Sequence, residues 1–191
     1  YESSAASDVY KRQRKDNLTR AGIIKGSTKT KKVGIVWLSY NVHGNEANST
    51  EAAMKTLHAL ADKSNINTQE WLKNTVVIID PSVNPDGRDR YANWYRMTAN
   101  RWPDADPLGR EHMEPWPGGR TNHYYFDLNR DWAWQTQIES QQRIIKYNEW
   151  LPHIHVDFHE QGYNSPYFFA PAAKPLHQYI TCLLYTSPSP R

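Results

Sequence analysis

"KKVGIVWLSYNVHGNEANSTEAAMKTLHALADK", residues 31–63, decides the fold. Its first third, Lys31 to Tyr40, is a short apolar run rich in β-branched residues and predicts a buried strand. Its last third carries Ala53, Leu57 and Leu60 at helical spacing, with Ser49 or Thr50 as the expected cap. Between them stands His43-x-x-Glu46. A strand that leads through a polar loop into a helix is the start of an α/β layered sheet.

The rest of the chain repeats that alternation. "NTVVIIDPSVNPDG", Asn74 to Gly87, predicts a second buried strand that ends in a Pro/Asn/Gly turn. Residues 88–126 read as an irregular loop, densest at "EPWPGGRTNHYYF", and a long ordered loop is commonly functional. Asp131 to Trp150 reads as an amphipathic helix. "HIHVDFHEQG", His153 to Gly162, alternates as a strand. Ile154, Val156 and Phe158 fall on one face, and His153, His155, Asp157 and His159 on the other. "SPYFFAPAA" follows as a loop or short strand. In such sheets, sites gather where strands end. Three polar clusters fall there: His43 with Glu46, the turn near Asp86, and His159.

Composition sets the outer limits. The chain has 191 residues, 38% hydrophobic and 13% aromatic, including eight Trp and twelve Tyr. That suits one globular domain and excludes disorder. No apolar run reaches the ~18 residues that span a bilayer. The net charge is +3 with no basic block beyond Lys29–Lys32, which argues against nucleic acid. The single Cys makes no internal disulfide. Both ends look foreign. "SSAASDVYKRQ" and "CLLYTSPSPR" resemble translated sequencing adapters. Residues 1–13 and 182–191 are therefore expected to be non-native, and 14–181 to be a partial catalytic domain that continues beyond this sequence.

Catalytic zinc takes three protein ligands, often two His and one carboxylate, and keeps a fourth position for water. His43 and Glu46 fit a close pair from one loop. His159, at its strand's exit, fits a distant third. His153 and His155 share its face and are the alternatives. Glu160 is expected on the opposite face and is not made a ligand. In "FDLNRDW", Phe126 to Trp132, Arg130 offers a planar fork for a carboxylate and Asn129 an amide donor. Asp127 could fix the tautomer of a ligand histidine. The same acidic and amide residues also fit a helix N-terminus, and spacing alone does not choose.

Taken in order, H-G-N-E after a strand, N-P-D-G, R-T-N-x-x-x-x-D-L-N-R-D and V-D-F-H resemble the zinc carboxypeptidase family, from about Val33 to Ala173. The resemblance implies an α/β fold, a mixed, mostly parallel sheet with helices on both faces. It implies one Zn2+ held by His43, Glu46 and His159, with Asp127 paired to the first histidine. It implies that Asn129 and Arg130 bind the substrate's terminal carboxylate. It also implies an arginine that polarises the scissile carbonyl, matched to Arg120. Tyr125 replaces a family glycine in that segment, so Arg90 and Arg96 stand as alternatives. The implied function is a metallocarboxypeptidase that hydrolyses C-terminal bonds of peptides or proteins, secreted or periplasmic. The family's general-base glutamate and capping tyrosine lie far downstream of the third ligand and match no residue here. This chain alone is therefore expected to be inactive. Two rival readings are a zinc amidohydrolase on acyl-amino acids, like aspartoacylase, and an inactive peptide- or glycan-binding module.

Overall fold

The computed structural model describes residues 5–26 and 32–162. The expected loop at Ser165–Ala173 and the adapter-like tail lie outside those residues. An N-terminal helix, α1 (Ala5–Arg20), precedes the first strand, β1 (Gly34–Tyr40). Two helices follow, α2 (Asn48–Ala61) and α3 (Ile66–Leu72), then β2 (Thr75–Asp80). The chain continues through α4 (Pro85–Thr98) and α5 (Ile138–Trp150) to β3 (Ile154–Phe158). No described helix is long and apolar enough to cross a membrane.

The three strands form one parallel sheet in the order β2-β1-β3. In register, Trp37 lies beside Ile78 and His155, and Tyr40 lies beside Phe158. Strand alternation sends Trp37 and Tyr40 to opposite faces. Trp37 packs against Tyr147 of α5, with ring centres 5.5 Å apart. Tyr40 donates its hydroxyl to Thr56 of α2 at 3.2 Å. Helices therefore cover both faces. Ile35, Trp37 and Tyr40 are buried on the central strand, as a strand flanked on both sides and both faces requires.

The order of strands places the site. The chain leaves β1 for a neighbour on one side and later returns to the other side. The crevice at the carboxyl ends of β1 and β3 is thus a topological switch point, where open α/β sheets bind ligands. Tyr40 and Phe158 stack across that edge at 4.3 Å, with planes 2° apart.

The structure corrects three local expectations. Residues 84–98 are not a turn and loop but the start and body of α4. Asn84 caps it through the Gly87 N–H at 2.9 Å, and Pro85 takes the first helical position. Asn-Pro signals a turn and a helix start equally well, and here the helix wins. The helix expected from Asp131 begins only at Ile138. Asp131 instead folds its carboxylate onto the Thr136 and Gln137 N–H groups, both at 2.9 Å, which closes a loop. Finally, neither Ser49 nor Thr50 caps α2, whose cap position is Ala47 with no side-chain bond. Glu160 reaches across from beyond β3, accepting from Ser49 N at 3.2 Å and Asn48 Nδ2 at 3.1 Å.

Candidate metal centre

The loop after β1 is shaped from inside by Asn41. This residue is fully buried and sits at φ 60°, a left-handed conformation that asparagine tolerates better than most side chains. Its amide donates to the carbonyls of His43 (2.8 Å), Gly44 (3.3 Å) and Glu46 (3.1 Å). The loop is thereby wrapped around one side chain, and His43 and Glu46 turn to the same side.

Two further buried asparagines hold the neighbouring segments. Asn84 donates to the Val42 carbonyl at 3.2 Å and the Arg120 carbonyl at 3.1 Å while its oxygen caps α4. Asn122 accepts from the N–H groups of Tyr124 (3.0 Å) and Phe126 (2.9 Å), which folds the segment before Asp127. Val42, Val83 and Leu128 pack together, each one residue from His43, Asn84 or Asp127. Three motifs far apart in sequence are thus fastened by one apolar contact and the Asn84 amide, while Asn122 folds the third from within. Arg90 is used in the same way, donating to the carbonyls of Gly118, Thr121 and Asn122.

Glycines permit the approach. A Cβ on Gly44 would meet the backbone of Gly87 and Arg88, and one on Gly87 would meet the carbonyls of Gly119 and Thr121. The H-G-N-E loop, the start of α4 and the P-G-G-R loop touch backbone to backbone there, at distances only glycine allows.

Within this frame the three expected ligand residues come together. The candidate ligand atoms of His43, Glu46 and His159 all lie within 4.8 Å of one another. His43 is buried, and its Nδ1 stands 2.8 Å from Glu46 Oε1. His159 Nδ1 stands 3.2 Å from Glu46 Oε2. The other ring nitrogen of each histidine meets an aspartate: His43 Nε2 is 3.2 Å from Asp127 Oδ1, and His159 Nε2 is 3.2 Å from Asp157 Oδ2.

Charge bookkeeping follows from these partners. Burial works to raise the Asp127 carboxyl, but the His43 charge, the Asn129 N–H and Arg120 outweigh it and hold it below the usual range. An ionised carboxylate only accepts, so a proton on His43 Nε2 is donated to Asp127. Burial also works to raise Glu46, but the His43 hydrogen bond, the Glu160 N–H and the charges of both histidines hold it low. Nδ1 of His43 therefore faces an ionised oxygen at 2.8 Å. Two acceptors that close need a cation between them, either a proton or a metal ion. His43, Glu46 and His159 supply the two-His-one-carboxylate set that suits catalytic zinc, and the donor chemistry fits.

The structure separates the alternatives. His153 Nδ1 accepts the Ile35 N–H at 3.0 Å and extends the strand pairing. His155 packs among Trp132 and Tyr147 on the sheet face and pairs with Ser39 Oγ at 3.1 Å. Neither stands in the cluster. Glu160 stays out as well, as the cap of α2. Arg120 reaches the cluster: it donates to Asp127 Oδ2 from Nε (3.2 Å) and Nη2 (3.0 Å), and its Nη1 lies 3.5 Å from His43 Nδ1. Arg90 is committed to carbonyls, and Arg96 is exposed on the last turn of α4. Asn129 and Arg130 lie on the short 3-10 turn Leu128–Arg130, capped by Asp127 through the Asn129 N–H at 2.9 Å. Arg130 is exposed and, among the described residues, donates to the adjacent Asn129 carbonyl at 3.3 Å. Asp127 thus serves both of the readings its spacing allowed. It caps a helical turn and it pairs with a candidate ligand.

A family model described as zinc carboxypeptidase matches residues 14–149 of this chain. The matched stretch includes His43, Glu46, Arg120, Asp127, Asn129 and Arg130; His159 follows it and joins the cluster by geometry. No curated protein and no solved structure matches the chain.

Proposed function

The chain belongs to the zinc carboxypeptidase family, and on that premise we propose that it holds one zinc ion and acts on the C-terminal bonds of peptides. The observation that carries this reading is the convergence of His43, Glu46 and His159, with each histidine backed by an aspartate. Bound zinc lowers the pKa of a coordinated water towards ~7 and polarises a carbonyl.

The protein's own groups divide the remaining work. Asp127 keeps the proton of His43 on Nε2 and leaves Nδ1 for the metal. Arg120, anchored on Asp127, presents a guanidinium edge beside the cluster and would stabilise the oxyanion that develops on the scissile carbonyl. Asn129 and Arg130, on the turn that Asp127 caps, would bind the terminal carboxylate, Arg130 by a two-pronged contact. That contact makes the activity an exopeptidase. Export from the cytoplasm accords with the family.

Substrate binding is the direct test, because it requires only the residues described. The zinc-loaded protein is titrated with a short peptide, then with the same peptide amidated at its C-terminus. The free acid is expected to bind at least tenfold more tightly, and Arg130→Ala to erase that difference. Equal binding of acid and amide would overturn the exopeptidase reading. Tight binding of an N-acyl amino acid in preference to the peptide would favour an amidohydrolase.

A further inference from the structure

We infer that Asp157 is a positioning residue for the zinc ligand His159, holding its proton on Nε2 and its Nδ1 towards Glu46, and this rests on the zinc reading above. Four observations lead there.

Among the described residues two carboxylates divide the nitrogens of His159. Nδ1 faces Glu46 Oε2 and Nε2 faces Asp157 Oδ2, each at 3.2 Å. This repeats the arrangement at His43, whose Nδ1 faces Glu46 and whose Nε2 faces Asp127. Both rings are thus pinned at the far nitrogen by a carboxylate, which sets the tautomer and raises ligand basicity.

Asp157 is itself fixed by the sheet. It lies in β3, in register with Ser39 of the central strand, so its backbone cannot drift. His159 leaves that strand two residues later and has no such support from secondary structure. A side chain on a rigid strand is a better anchor for a ring in a loop than the loop itself.

The second oxygen of Asp157 points inward. Oδ1 is buried and has no hydrogen-bond partner among the described residues. Arg143 of α5 is 94% buried, being 6% exposed, and none of its three guanidinium nitrogens has a hydrogen-bond partner among those residues either. Its guanidinium lies over the Trp132 ring at 3.8 Å and interacts electrostatically with Asp157, Asp80 and Asp131. A buried arginine of α5 thus adds favourable electrostatics at Asp157 without a direct hydrogen bond to it, while His159 meets Oδ2. A pair of surface groups meeting by chance would not include a buried oxygen in the field of a buried arginine.

The test is zinc affinity, measured by competition with a chromophoric chelator on the whole chain. Asp157→Ala removes the acceptor and is expected to weaken zinc binding about 100-fold; Asp157→Asn keeps an acceptor oxygen without the charge and is expected to weaken it about tenfold. The ordering, with asparagine rescuing part of the loss, is what a positioning role demands. Nitrogen-edited NMR of the imidazoles supplies a second readout. The His159 Nε2–H resonance is expected in the zinc-loaded wild type and lost to fast exchange in Asp157→Ala. Should Asp157→Ala fail to fold, Asp157→Asn decides. Zinc binding within twofold of wild type in either folded variant overturns this inference and leaves the metal site standing. No zinc on the wild type overturns both.

Discussion

Gly44→Ala is the sharpest perturbation of the frame. The substitution adds one methyl group to the loop between His43 and Glu46. That methyl would sit 2.2 Å from Arg88 N and from Gly87 C, and 2.5 Å from the Gly119 carbonyl. Ordinary contact begins near 3.4 Å, so the segments must part by about 1.2 Å. All three obstacles are backbone, and none can rotate away as a side chain could. Overpacking of this kind costs about 3 kcal/mol at the upper end of its usual range. Alanine returns about 0.7 kcal/mol by restricting the unfolded chain. The net loss is then about 2 kcal/mol. Urea denaturation measures it, with Gly34→Ala as the control. A Cβ on Gly34 meets nothing within 4 Å, so that variant is expected to match or slightly exceed wild type. Zinc affinity should fall with Gly44→Ala as well, because His43 and Glu46 flank the forced opening. A Gly44→Ala protein within about 0.5 kcal/mol of wild type would refute the claim that backbone contact among these loops assembles the site.

Other consequences follow from the same geometry. Asn84→Ala removes a helix cap and leaves the Val42 and Arg120 carbonyls without their donor; a loss of about 3 kcal/mol is expected by denaturation. The Asp131 carboxyl is held at about 2, where burial works to raise it and the Thr136 and Gln137 N–H groups, with the Thr136 and Ser140 hydroxyls, outweigh that. A depressed acid stabilises the fold above its unfolded pKa and loses that contribution as pH falls through the folded one. About 1–2 kcal/mol should therefore disappear between pH 4 and pH 2, a loss that Asp131→Ala abolishes in acid titrations of stability. Asp127→Ala should weaken zinc binding about 10–100-fold in the chelator competition and also loosen Arg120, its partner at 3.0 Å.

How far the sequence carried the account depends on what kind of interaction holds each part. The sheet was legible from the apolar β-branched runs of β1 and β2 and the alternation of β3, although only the central strand β1 is deeply buried while β2 is half-buried and β3 is exposed at both ends. The cluster of His43, Glu46 and His159 was legible because its members flank strand ends and their types suit a metal. What escaped were the residues that act through backbone contacts. Asn41, Asn84 and Asn122 each bind two or more main-chain groups, and an asparagine in a loop carries no mark of that in the sequence. The start of α4 was missed because Asn-Pro punctuates turns and helices alike. The late start of α5 was missed because Asp131, which suits a helix cap, binds a loop six residues long instead. Strand alternation puts Glu160 on the face of Phe158, away from His159, and its carboxylate does go there, to α2, which covers the Tyr40 face. Alternation did place Asp157 beside His155, but its pairing with His159 depends on where the strand stops.

The central claim is that His43, Glu46 and His159 hold one zinc ion while His153 and His155 do not. Elemental analysis of the purified protein tests it directly, with His159→Ala and His155→Ala measured beside wild type and folding checked by circular dichroism. The account predicts one zinc per chain in wild type and in His155→Ala, and none retained by His159→Ala. A folded wild type without zinc, or zinc retained by His159→Ala and lost from His155→Ala, would contradict it.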